Sequence, residues 1–548
     1  MTARLGRRPG PGRRRIRGPL LALALVVVAA VVAGGGLGAY FLTTRLAPAP
    51  GGTVTEGLVL DGPLSLLPPF ASTQNSRDVS ALLDRGLTRI AADGRPEAEL
   101  AESWEVDATA RTYTFHLRPN LQWSDGVPLT SADAAFTLAV LHDQALSQTP
   151  VGQAWSGVGV TTPDARTIIY ALPSPSAAFL SLTTIGLVPE HYLKPQQVAA
   201  MPEILDAPTS GPFRFDSADR NRVVLKRNPH ALEPPQVDQL ELRRYETSGE
   251  ALQALLSGDI DMLAQLSAED ATTVSRLPNR RLVRAQSFSY VQLLFNQKQP
   301  GMGEVGVRRA VAQGINRQRM VDDVLRGYGH VTGSPIPSAI SWVDSADAGP
   351  GYDRQAAAAA LDAAGWARTG ASRAKAGQEL SLVLLTSDVD PYPAIARQVK
   401  ADLADIGLKA EVKQVGEGQV VDALTKREFD LAITPFDNGP DPDVFALWHS
   451  AEGTATGTNF SGMAKDPFLD KALEDGRFNA DIGARRTAYA EVQKILRESA
   501  AAVFLYSPDQ LVGTSNRLNG VRLNPGIESW ERYEFVQEWY VNTRRVGR

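Results

Sequence analysis

The chain's readiest proton-transfer groups are six histidines, His116, His142, His191, His230, His330 and His449, and each stands alone. None falls in an HExxH or other paired spacing, so no helix face carries two imidazoles for a metal. There is no cysteine, which removes thiolate ligands, Cys nucleophiles, disulfides and a lipid-modified N-terminal Cys. Neither a GxSxG elbow nor a GxxxxGK-S/T phosphate loop occurs. Close carboxylates at Asp259/Asp261 and Asp441/Asp443 have the residue type for acid–base work. In so acidic a body they are expected to be solvated or capping groups. No catalytic residue, cofactor or metal site is assigned. A triad assembled in space leaves no motif, so this withdraws the positive case for an enzyme without excluding one.

The elements that position these residues alternate between strand and helix. Tyr113, Phe115 and Leu117 alternate with polar neighbours, which predicts a half-buried strand closed by Pro119-Asn120. Thr130 to Asp133 reads as a capping-box start for a helix to about His142. Further strands are expected at Thr167–Ala171, 223–225 and Leu240–Tyr245, with a helix over 249–257 stopped by Gly258. In the second half, Leu380, Leu382 and Leu384 make a strand. Ile395, Val399, Leu403 and Ile406 stripe a helix that ends at Gly407. Leu408–Val412 and Phe429–Ile433 follow as strands, most simply a parallel β-α-β crossover. The fold class is therefore α/β, and 548 residues suffice for roughly three domains.

Charge is distributed unevenly. Eight arginines and no acid lie in the first fifty residues. Removing them leaves 48 basic against 61 acidic residues, a net of −13, a poor match for nucleic acid. Residues 1–19 form a basic segment before an uncharged, mostly apolar run over 20–42. Those 23 residues reach about 34 Å as a helix, enough for a hydrocarbon core of about 30 Å. The run is a transmembrane anchor or a cleaved signal segment, and either places the body outside the cytoplasm. Residues 43–52, including Ala47 to Gly52, read as a linker.

Several ordered blocks carry a resemblance. They include Leu100-Ala101-Glu102-Ser103-Trp104, Trp123-Ser124-Asp125-Gly126, Gly211-Pro212-Phe213-Arg214-Phe215, Arg227-Asn228-Pro229, Ser257-Gly258-Asp259-Ile260-Asp261 and Val307-Arg308-Arg309-Ala310. Taken together, over about residues 55–520, the chain resembles the oligopeptide/dipeptide-type solute-binding proteins of ABC transporters, extracytoplasmic family 5. It departs from the family at Ser65-Leu66-Leu67-Pro68, where Leu67 replaces a polar residue, and in lacking a lipobox Cys.

The resemblance implies a two-lobed periplasmic-binding-protein-like clamp with an additional α+β domain. Lobe I would comprise 53–88, 206–296 and 506–548, the additional domain 89–205, and lobe II 297–505. It implies capture of a peptide or other small solute by hinge closure and delivery to a permease with separate ATPase subunits, the binding protein acting as a monomer. A membrane-tethered sensor or chaperone of the same fold, or a secreted hydrolase, are the alternatives. In peptide-binding members an Asp pairs with the ligand's ammonium. Here the family spacing lands on Asn438, or on Asp437 if Pro440 is an insertion, and Phe436 and Trp448 are candidates to stack on the ligand or to pack in the core. Arg308 and Arg309 are expected as surface or ion-paired groups.

Overall fold

In the computed structural model, residue 2, residues 44–344 and residues 349–547 are described. The apolar run 20–42 lies outside the described residues, as does the basic segment apart from Thr2. The predicted β-α-β pattern in the second half is present. Strand Ser381–Ser387 pairs in parallel with both Lys409–Val415 and Leu431–Asp437. Helix Tyr392–Asp405 connects the first two, burying Ile395, Val399 and Leu403 completely, and Gly407 turns the chain at φ +82°. A left-handed φ is unstrained only for glycine, which is why the helix stops there.

A second body is built around Thr53–Val59, which pairs in parallel with Gln239–Tyr245 and with Met262–Leu263. Arg222–Arg227 and Phe213–Ala218 extend that sheet antiparallel. Helix Ser248–Ser257 carries the Thr247/Glu250 capping box and ends at Gly258, φ +94°. A third body packs helix Ser131–Leu141 on a four-stranded antiparallel sheet, ordered Ala101–Val106, Thr112–Leu117, Thr167–Ala171, Gly159–Asp164. Tyr113, Phe115 and Trp123 are core there, as their alternation and apolar setting suggest.

One strand belongs to both main bodies. Ala502–Ser515 pairs through its first residues with Ser289–Phe295 and through its last with Arg280–Ser287. Pro508, which has no N–H to give a ladder, sits between the two halves. Phe288, fully buried, separates the two partner strands. Ser507 Oγ donates to the Ser289 carbonyl at 2.7 Å, and Ser287 Oγ donates to the Pro508 carbonyl at 2.8 Å. These crossings at 287–289 and 507–508 give the molecule a two-stranded waist.

Two expectations need correction. The stretch expected to be a linker forms a strand, Thr44–Ala49, antiparallel to Asn542–Gly547. Its partner lies at the other end of the chain, so no local signal announces it. Arg308 is neither exposed nor ion-paired. It is 5% exposed and donates to the carbonyls of Ala500, Met302, Gly303 and Ser499, while Arg309 donates to the Glu498 carbonyl. Carbonyls left unpaired after a helix C-terminus accept from a guanidinium, just as a carboxylate partner would.

Candidate functional site

Strand Leu431–Asp437 runs antiparallel to Ser289–Phe295, placing Phe436 opposite Tyr290 and Asp437 opposite Ser289, beside the waist. Leu431, Ala432 and Ile433 are buried, and the chain then emerges into solvent at Pro435 and Asp437. Asp437 Oδ1 accepts from Gly439 N at 3.1 Å in an Asx turn, and the chain then turns on through the left-handed Gly439 (φ +59°). Asn438 turns the other way: its Nδ2 donates to the Pro335 carbonyl at 2.7 Å and its Oδ1 is buried. Asn438 therefore ties the loop to the Pro335 segment, while Asp437 keeps an exposed carboxylate.

Phe436 is half-buried with its ring 5.7 Å from Tyr290, so its edge forms part of the surface next to Asp437. Trp448 is 1% exposed and packs on Phe504 at 6.1 Å, which places it in the core. The structure thus brings Phe436, Asp437 and Asn438 together and sets Trp448 behind them.

The loop after Asp437 is held by charges that are not solvated. Arg485 Nη2 donates to both Asp441 oxygens, at 2.7 and 2.9 Å, and its Nε donates to the Gly476 carbonyl at 2.8 Å. Burial raises the Asp441 carboxyl despite the Arg485 charge. Asp443 accepts from Arg477 Nε at 2.7 Å and caps Phe445 N at 3.0 Å. The second pair behaves likewise at Asp261, which accepts from Thr55, Ser515 and Arg517. Its hydrogen bonds, foremost from Arg517, outweigh burial and lower its carboxyl.

Beside Asp437 comes Glu528, just before the C-terminal turn Ser529–Tyr533, since Ile527 pairs with Ser287 and Asp437 with Ser289. Glu528 is 5% exposed, and burial together with the nearby Asp437 charge pushes its carboxyl well above the usual range. Glu531 Oε2 accepts from Glu528 N at 2.6 Å, and burial pushes that carboxyl up to about 8. Arg77 lies close by with its guanidinium 5.7 Å from the Trp530 ring. The turn is fixed from below by a fully buried cluster. Arg532 donates to Glu56 through Nε (3.0 Å) and to Asp78 through Nη1 (2.6 Å), and Tyr533 donates to Glu56 (2.8 Å). A short 3-10 turn has no apolar period, so neither Glu528 nor Glu531 could be singled out from the sequence.

A cavity of about 210 Å³ lies elsewhere, between the third body and the segment around Gly211. Arg85, Arg89, Arg118, Glu99, Glu233 and Glu534 line it. Several of its charges pair with one another, Arg85 with Glu99 at 3.4 Å and Arg89 with Glu99 at 3.4 Å and with Glu534.

Residues 95–457 match the family described as bacterial extracellular solute-binding proteins, family 5 middle, over about two thirds of the chain. The chain belongs to that family. Protein XP55 of Streptomyces lividans is 29% identical over 425 residues, covering 76% of this chain and 77% of the relative. The oligopeptide-binding protein AppA of Bacillus subtilis is 25% identical over 509 residues, 88% of this chain and 92% of AppA. Its structure in complex with a nonapeptide superposes with a TM-score of 0.70 at 22% identity, covering 90% of this chain and all of that one. The ABC transporter substrate-binding protein CtaP of Listeria monocytogenes gives 0.75 at 20% identity, covering 90% and 100%. The family 5 chain is thus an α/β, two-lobed solute-binding protein of the periplasmic-binding type, the fold its sequence blocks imply.

Proposed function

We propose that this family 5 protein is the substrate-binding component of an ABC importer, taking peptides or peptide-like solutes with a free ammonium. The observation that carries it is the exposed Asp437 carboxylate beside the waist, facing the buried Glu528, with Asn438 committed to Pro335. An ammonium seated there meets an exposed carboxylate that lobe closure would cover, and removing water strengthens the attraction. Phe436 supplies apolar surface beside it, and extended main chain would give affinity that ignores side-chain identity. The boundaries 53–88, 206–296 and 506–548 for one lobe, 89–205 for the additional domain and 297–505 for the other lobe are part of this reading. So are residues 20–42 as the membrane anchor, monomeric action and binding without turnover.

Closure follows from the waist. Two chain crossings allow the lobes to rotate, and a solute shifts them only by binding the closed form better than the open one. The test is a thermal-shift screen of the full chain, with its Thr44–Ala49 strand in place, against di- to pentapeptides, sugars and nickel chelates. A solute at 100 times its Kd should add about 2.7 kcal/mol of stability. Asp437→Ala should abolish the gain from peptides and Asn438→Ala should only reduce it. Equal affinity in both variants would remove Asp437 as the anchor.

A further inference from the structure

Glu528 is buried to 5% exposure at the seam between lobes, and its Oε1 has no hydrogen-bond partner among the described residues. A buried polar atom without a partner costs about 1–3 kcal/mol, and more if charged, so its placement calls for a reason. Strand pairing brings it beside Asp437, since Ile527 pairs with Ser287 and Asp437 with Ser289. Two ionised carboxylates are acceptors only, so these two can bond to each other only through a shared proton. From its own turn Glu528 faces Glu531, and from helix Gln74–Leu83 it faces Arg77. Arg77 is already engaged by the Ser72 carbonyl at 3.0 Å, by Gln74 Oε1 at 3.0 Å and by the Trp530 ring. Asp78 on that helix is taken by Arg532, and Glu534 by Arg89. The local balance is therefore three carboxyls to one guanidinium.

We propose that Glu528 is a second ligand-facing carboxyl, protonated in the ligand-free protein and ionised when an ammonium-bearing solute seats between it and Asp437. The exchange is balanced: the O–H bond of Glu528 breaks, its proton leaves to solvent, and the ammonium enters with all its hydrogens as donors to both carboxylates. This rests on the ammonium-anchor reading of Asp437 and adds a prediction that reading does not make, namely that binding is coupled to proton release. It also narrows the solute class to cations that can donate to two acceptors, and disfavours N-acylated analogues.

The experiment uses the full chain, which keeps the Thr44–Ala49 strand, and a pool of tri- to pentapeptides with free N-termini, against the same pool N-acetylated. Protons are counted with an indicator dye in weak buffer near pH 6.5, alongside thermal shift. The expected result is release of about one proton per protein with the free-amine pool and none with the acetylated pool. Glu528→Gln, which keeps shape, should bind with at least about tenfold lower affinity and release no proton. Stabilisation by the free-amine pool without proton release in the parent protein overturns the proposal, as does undiminished release in Glu528→Gln. Equal stabilisation by the two pools instead overturns the ammonium-anchor reading itself.

Discussion

Asp441→Ala tests whether the loop behind the proposed anchor is held by a buried charge pair. Arg485 is 8% and Asp441 11% exposed, and the guanidinium reaches both carboxylate oxygens. At an effective dielectric of about 20, unit charges about 4 Å apart attract by about 4 kcal/mol. Much of that only offsets desolvation while both partners are present. Removing Asp441 leaves the desolvation cost of Arg485 without its counter-charge, which typically amounts to about 3–5 kcal/mol. Arg485 keeps the Gly476 carbonyl, Tyr489 OH at 3.3 Å and the Trp342 ring at 5.2 Å, so the lower end, about 3 kcal/mol, is expected. Urea denaturation with an unchanged slope reads this as a lower midpoint. The double variant Asp441→Ala/Arg485→Met removes the bare charge and should recover at least about 1 kcal/mol of the loss. A single-variant loss below about 1 kcal/mol, or a double variant no better than the single, would refute the account.

Other consequences are equally measurable. Glu531, raised to about 8 against an unfolded value near 4.5, binds more protons in the native state between those pH values. Native stability should therefore be fullest below about pH 4.5 for this group and fall by up to about 1.4 kcal/mol per unit as pH rises toward 8, and Glu531→Gln should flatten that slope in pH-dependent urea melts. A Cβ on Gly526 would come within 2.7 Å of the Ala339 Cβ and 2.8 Å of the Phe288 ring, so Gly526→Ala should cost about 1–3 kcal/mol by overpacking the waist, read as a lower urea midpoint. Thr130→Ala removes the side chain that caps helix Ser131–Leu141 and should lower the unfolding free energy by about 0.5–2 kcal/mol, measured by the same melt, with peptide affinity unchanged.

Elements with a strong period and clear stops were legible. The helix ending at Gly407, the capping box at Thr130 and the strand Thr167–Ala171 each follow from residues that are neighbours in sequence. Contacts between distant residues were not. The strand Thr44–Ala49 exists because Asn542–Gly547 returns to it, and Arg308 is buried because carbonyls near Ser499 converge on it. The candidate site divides the same way. Asp437 and Asn438 could be narrowed to two positions by family spacing, but only the Asn438–Pro335 bond separates their roles. Glu528 lies ninety-one positions beyond Asp437 in a turn with no pattern, so its part in the site could come only from the fold.

The seam chemistry also bears on how an importer ignores unloaded protein. Closing two lobes around nothing brings Asp437, Glu528 and Glu531 together with only Arg77 to offset them. Near neutral pH the empty protein keeps Glu528 protonated against Asp437, with its buried Oε1 unpaired, and that disfavours closure around nothing. An ammonium removes the penalty and adds two charge-assisted contacts, so its differential affinity for the closed form exceeds what its contacts alone would provide. Reversing a population from 1:99 to 99:1 takes about 5.5 kcal/mol, within reach of one relieved carboxyl pair plus main-chain bonding. A seam lined by neutral groups would close on any solute of the right size. An acidic one closes on the solute that carries the missing charge.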